Sequence, residues 1–233
     1  MAPTIQSFIN GFQNRLEPPV RQHLKNVYGT LTMTCGAAAA GVCVDAMVMR
    51  AGLLSTVAGL ALMLLLVATP DNGKNTHLRL GYLLGFGLTS GMGLSPLLEY
   101  VSFVDPSIIV TALLGTTLVF VCFSVAAMLA DRGSFLFLGG TLMTLLSSMS
   151  LLGLANLFMH SNLLYQSQLY LGLVAMCGFV LFDTQLIVEK RRAGSRDFVT
   201  HALDLFIDFI GIFRRLLVIL TQKEEQERRR KRD

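Results

Sequence analysis

Tryptophan does not occur in this chain, and charge is scarce: 15% of its 233 residues are Asp, Glu, Lys or Arg, against 53% hydrophobic. Soluble domains carry about 25% charged residues, so a surface facing water on all sides is excluded. The scarcity is also uneven, since fifty consecutive residues from Gly133 to Phe182 contain no Asp, Glu, Lys or Arg. That run accommodates two membrane helices of about 20 residues each, because the hydrocarbon core is roughly 30 Å thick. In lipid every backbone polar group must be satisfied internally, and long continuous apolar runs do this as helices, whereas barrel strands alternate over about ten residues. The fold class is therefore all-α, a polytopic helical bundle in the membrane.

The other scarce residues narrow the chemistry. The four cysteines, Cys35, Cys43, Cys122 and Cys177, sit inside apolar runs without C-x-x-C spacing, which leaves them as small buried hydrophobes. Without tryptophan, the interfacial aromatic belt falls to tyrosine, and all five, Tyr28, Tyr82, Tyr100, Tyr165 and Tyr170, lie close to expected span ends. Polar residues and Pro18-Pro19 interrupt the N-terminal stretch, so no cleavable signal peptide is read there. Ile5, Phe8, Ile9, Phe12 and Leu16 repeat at helical spacing, as in a short helix lying on the membrane surface, with a disordered tail as the alternative reading.

Spans are expected near 28–48, 52–69, 80–100, 107–130, 134–158, 164–188 and 199–220, separated by turn and cap chemistry such as Pro70-Asp71-Asn72-Gly73, Asp105-Pro106 and Asp131-Arg132-Gly133. This divides the chain into a cytosolic N-terminal segment (1–25), a transmembrane domain (26–221) and a basic tail (222–233). Span three carries Gly81, Gly85, Gly87, Ser90, Gly91, Gly93 and Ser95, including two G-x-x-x-G spacings, which let helix backbones approach closely.

Ten basic residues, Arg15, Arg21, Lys25, Lys74, Arg79, Arg132, Lys190, Arg191, Arg192 and Arg196, fall in loops on one side, and only Arg50 falls opposite. The positive-inside rule places the N-terminus in the cytosol. The tail conflicts with this arrangement. Eight of the nineteen Lys and Arg lie at or beyond Arg214, and a full seventh crossing would carry them to the far side. Two architectures follow: seven transmembrane helices, or six spans plus a re-entrant segment lining a cavity.

Segments six and seven hold the chemistry. An ionisable residue inside a span costs several kcal/mol and marks function or a buried partner. Asp183 lies seven residues before Lys190, about 10 Å inside the interface at 1.5 Å per residue. Asp204 and Asp208 lie seven and eleven residues past Asp197 on the following segment, so either can meet Asp183 at similar depth. His201, Asp204 and Asp208 share a helix face through spacings of three and four. Two carboxylates in a dry site cannot both ionise cheaply; one proton is shared, and the pair also supplies oxygen ligands suited to Ca²⁺. Glu99, beside Pro96 at the end of span three, is a further acidic candidate.

At these residues the chain closely resembles the transmembrane BAX inhibitor motif family. The matching runs are MCGFVLFDTQLIVEK over 176–190 and HALDLFIDFI over 201–210. The likeness extends to Ala68-Thr69-Pro70, GLSPLLE over 93–99, DPSI over 105–108 and FLFLGG over 135–140, and so spans nearly the whole chain. The resemblance implies an endoplasmic reticulum membrane protein that suppresses programmed cell death and lets Ca²⁺ leak from the store in a pH-dependent way. It implies that the paired acids are Asp183 and Asp208, which would also hold Ca²⁺ transiently, with Asp204, His201 and Glu99 secondary. Bacterial relatives latch the acid pair with an Arg near the end of the second helix, and residues 72–79 show no obvious equivalent.

No cofactor is expected beyond Ca²⁺ and H⁺ as transported or regulatory ions. The expected partners are membrane lipid and membrane proteins of the cell-death and calcium-release machinery, with a homo-oligomer also open and no nucleic acid. A non-conducting regulator that acts by binding such proteins is the alternative function. An intramembrane aspartyl hydrolase is disfavoured, because neither acid stands in a Gly-x-Gly-Asp context, and no enzymatic activity is expected.

Overall fold

The computed structural model describes residues 16–47, 50 and 52–231. Among these residues the protein is seven α-helices: α1 (Pro18–Met47), α2 (Leu53–Ala68), α3 (Thr76–Val104), α4 (Ser107–Leu129), α5 (Leu138–Met159), α6 (Asn162–Arg192) and α7 (Phe198–Arg230). By length and composition α1, α4, α5 and α6 can each cross a membrane. The surface helix expected over Ile5 to Leu16 lies outside the described residues except for Leu16, which is buried.

Helix ends follow from short polar residues. Asp105 donates its backbone N–H to the Val101 carbonyl at 2.8 Å, closing α3, while its Oδ1 accepts from the Ser107 N–H at 2.8 Å, opening α4. α5 stops at His160, whose positive φ of 48° departs from the right-handed helix, and Asn156 Oδ1 takes the freed Ser161 N–H. Asp197 caps α7 by accepting from the Thr200 N–H at 3.1 Å. Pro18 opens α1 at the first helical position, where its missing N–H costs nothing, so α1 begins ten residues before the expected span.

α7 is the hub of the bundle and touches α1, α3, α4 and α6. Its buried residues include Ala202, Leu205, Phe206, Asp208, Ile212 and Leu217. α1 lies along α3, where a Cβ on Gly91 would run into the Ala38 carbonyl and one on Gly41 into that of Leu88. The glycines set that backbone approach, in a medium that offers no hydrophobic drive between helices. Large apolar side chains such as Leu60, Leu118, Leu151 and Val174 point outward, the face a lipid solvent demands.

Two expectations are corrected, and one of the two open architectures is favoured: α7 runs unbroken through 33 residues, about 50 Å, so the helix does not turn back on itself. Tyr28 is no belt residue, because its hydroxyl is buried among α1, α4 and α6, and Tyr82 packs against the core. Cys43 and Cys122 stand on the exposed surface, and only Cys35 and Cys177 are partly covered. Their helices turn those positions toward lipid, where a thiol is as acceptable as in a core.

Candidate functional site

Helices α6 and α7 run side by side and bring the carboxyl groups of Asp183 and Asp208 within hydrogen-bonding range of each other. Asp208 is 3% exposed and its Oδ2 receives no hydrogen bond from any described group. A carboxylate only accepts, so a hydrogen bond between two carboxyls requires a proton on one of them. Asp204, one turn nearer Asp197, lies close enough to act on both acids through its charge. The pair thus lies inside the bundle between two helices, with a third acid close by.

His201, one turn further from Asp208 along α7, joins α7 to α1. His23 Nε2 and His201 Nδ1 are 2.8 Å apart with the rings edge to face, both buried. One nitrogen donates and the other accepts, so at least one ring must be neutral for the contact to exist. Glu99 is elsewhere: it is half exposed and pairs with Arg50 at 3.5 Å.

Arg79 departs most from its expected place. It belongs to α3, is 3% exposed, and its Nη2 donates to Asp197 Oδ2 and Thr200 Oγ1, both at 2.7 Å. Asp71 lies 3.5 Å from its Nη1. A cation expected in a loop is therefore a buried tie between the start of α3 and the start of α7. Burial alone would push the Asp197 carboxyl up, but the Arg79 and Thr200 hydrogen bonds outweigh it and hold the acid below its ordinary range. The tie engages Asp197, the α7 cap, and not the acid pair.

Sequence reasoning also passed over Gln185. Its Nε2 donates to the carbonyls of Ala127 and Asp131 and to Ser134 Oγ, while its Oε1 accepts from the Phe135 N–H at 2.7 Å. One buried amide thereby satisfies the open end of α4 and the approach to α5. The available signal was an amide two residues past Asp183, inside a span where unsatisfied polar groups are costly. His23, by contrast, gave no local signal, since its partner is 178 residues away.

Seven helices, outward apolar faces and two acids meeting at the hub define a polytopic membrane protein with a pair of carboxyl groups in its core. The residues from 20 to 225 match the family model described as Bax1-I, inhibitor of apoptosis-promoting Bax1, and the chain belongs to this family. It is 47% identical over 220 residues to Bax inhibitor 1 from Mus musculus, covering 94% of this chain and 93% of the mouse protein. It is 46% identical over 228 residues to Bax inhibitor 1 from Drosophila melanogaster (97% and 93% covered) and 38% identical over 209 residues to that from Arabidopsis thaliana (89% and 84% covered).

Proposed function

We propose that this protein restrains programmed cell death from the endoplasmic reticulum membrane, N-terminus in the cytosol, and that it lets Ca²⁺ leak along a path gated by the Asp183/Asp208 pair. The observation that carries the reading is the facing of two carboxyls between α6 and α7 with Asp208 Oδ2 buried and undonated. With one proton the acids hold the two helices together. Without it, two like charges in a poor dielectric repel and the helices separate. Two carboxyls offer at most four of the six to eight oxygens Ca²⁺ takes, so a passing ion keeps water and is not retained. No bond of a substrate is broken in this scheme, and the protein acts without enzymatic chemistry. The names of the relatives support the death-restraining part, and the chemistry of the acid pair supports the ion path.

The purified protein in dye-loaded liposomes tests this directly, with Ca²⁺ entry measured from pH 6 to 8. Wild type is expected to show a protein-dependent flux that changes with pH, and Asp208→Asn, which fixes a donor beside Asp183, to lose the pH response. A flux identical across pH in both proteins would overturn the gate. No flux above empty liposomes from folded protein would replace the leak with a regulator that binds other membrane proteins.

A further inference from the structure

Arg79, Arg132, Arg192 and Arg228 each meet a carboxylate, at 2.7, 2.8, 2.7 and 2.9 Å. Arg214 and Arg215 of α7 have no acidic partner among the described residues. They lie well inside the bundle's span, Arg214 being sixteen residues, about 24 Å, past Phe198 at the start of α7. An ionisable residue at such depth is costly and by default marks a site with a partner. Arg215 is fixed in place: its Nη1 donates to the Gly211 carbonyl at 3.0 Å, and a Cβ on Gly172 of α6 would collide with its Nε. The neighbouring charge that acts on it is that of Arg214, a second cation.

Both arginines line a cavity of about 500 Å³, within the range of sites for organic ligands and far larger than an inorganic anion fills. α5 packs chiefly on α6, which leaves a cleft between α5 and α7 floored by Gln168 and Leu169 of α6. Leu146 and Ser150 of α5 and Arg214 of α7 are exposed along its sides, so it opens toward lipid. No carboxylate lines it. Leu97, Leu146, Met149 and Val218 supply apolar wall. Part of the lining thus suits a hydrocarbon chain, and the two guanidinia suit an anion.

We propose that this cleft binds a long-chain fatty acid, its carboxylate held by Arg214 and Arg215 and its chain lying along Leu146, Met149 and Val218. The planar fork of a guanidinium matches a carboxylate through two parallel hydrogen bonds. Depth separates this ligand from a phospholipid. Gly172, level with the Arg215 guanidinium, stands ten residues, about 15 Å, along α6 from Asn162. That is about half of a hydrocarbon core roughly 30 Å thick, whereas the head group of a diacyl lipid stays at the interface. A fatty acid reaches such depth because its protonated form is neutral, and it ionises beside the guanidinia, where opposite charge favours the carboxylate. A phosphate diester stays charged throughout. The Asp183/Asp208 pair does not line the cleft, so this site stands independently of the ion path.

The test is photo-crosslinking of full-length protein in phosphatidylcholine nanodiscs with a diazirine-bearing palmitate, followed by mapping of the labelled peptides. Expected are saturable labelling confined to 146–150, 165–172 and 214–218, and competition by unlabelled palmitate. Arg214→Gln, at an exposed position, should weaken binding about tenfold or more, the worth of a charge-assisted hydrogen bond. Ser150→Trp, a lipid-facing change that fills the cleft from its open side, should abolish labelling even if the arginine variant folds poorly. Labelling that does not saturate, or that survives Ser150→Trp unchanged, overturns the site. Equal competition by hexadecanol overturns the role of the arginines, equal competition by acetate overturns that of the chain, and equal competition by phosphatidic acid overturns the assignment to a fatty acid.

Discussion

Arg79 and Asp197 show how much a single buried cation can organise. Removing one partner of a buried ion pair leaves the other uncompensated, at a cost of about 3–5 kcal/mol; with Asp197 partly exposed to solvent, about 3 kcal/mol is expected. Asp197→Asn isolates that charge, because asparagine caps a helix nearly as well as aspartate, and it should lower the melting temperature in detergent clearly more than Lys74→Ala. The pH dependence has a definite sign. The Asp197 carboxyl is held low in the folded protein, so its contribution is present above the ordinary carboxylate range, about pH 4, and is lost only as pH falls through the depressed value. It is constant between pH 6 and 8. Thermal melts of wild type and Asp197→Asn should therefore keep a fixed separation across that window, and a separation that shrank toward pH 6 would contradict the assignment. Arg79 was read from sequence as one more loop cation because nothing within ten residues announces a partner 118 positions downstream. The acids were legible for the opposite reason: a carboxylate inside an uncharged span is conspicuous without knowing what it meets.

Between elements, the small-residue face of α3 was equally plain, yet its two G-x-x-x-G spacings do different work. Gly87 and Gly91 press on α1, where an added Cβ meets Thr34 and the Ala38 carbonyl, whereas at Gly81 it meets nothing within 4 Å. Gly91→Val should separate α1 from α3 and cost about 1–3 kcal/mol or more, since backbone cannot yield as a side chain does. Gly81→Ala should be neutral or slightly stabilising, because alanine is the better helix former by up to about 1 kcal/mol. Parallel melts of the two variants check this, and similar losses in both would mean that α3 simply tolerates no substitution. Gln185 belongs to the same scale. Gln185→Leu strips four hydrogen bonds from the α4–α5 junction and should destabilise by about 2 kcal/mol, given the price of several buried groups left unpaired, without disturbing the acid pair, whose nearer member lies two residues back on another face of α6. Periodicity and small residues declare which face of a helix packs; they do not declare the neighbour, which depends on contacts far apart in sequence.

For the molecule as a whole, the number of helices was legible from charge gaps and turn residues, and the course of the last one was not. Its composition pulls two ways: Asp204, Asp208, Arg214 and Arg215 argue against a span, while the basic tail argues for a return to the side where other basic loops lie. The bundle resolves the conflict by burying the acids at its hub and letting the helix continue. At one end of the molecule Arg79 meets Asp197, Arg132 meets Glu189 and Arg192 meets Glu17. At the other, Arg50 meets Glu99, and the tail is tied in beside them: Tyr100 donates to Glu225, and Arg228 lies 3.8 Å from Asp105. The tail's positive charge is thus partly neutralised where it emerges, by Asp105 and by its own Glu224, which accepts from Arg228 at 2.9 Å, so its count of Lys and Arg overstates the pull toward the other side. Single cysteines introduced in a background without the native four report this directly. Asn75→Cys and Lys223→Cys should be modified by an impermeant maleimide from opposite sides of sealed microsomes. Modification of both from the same side would mean that α7 does not cross, and the facing of Asp183 and Asp208 would then have to be built on a different path of the chain.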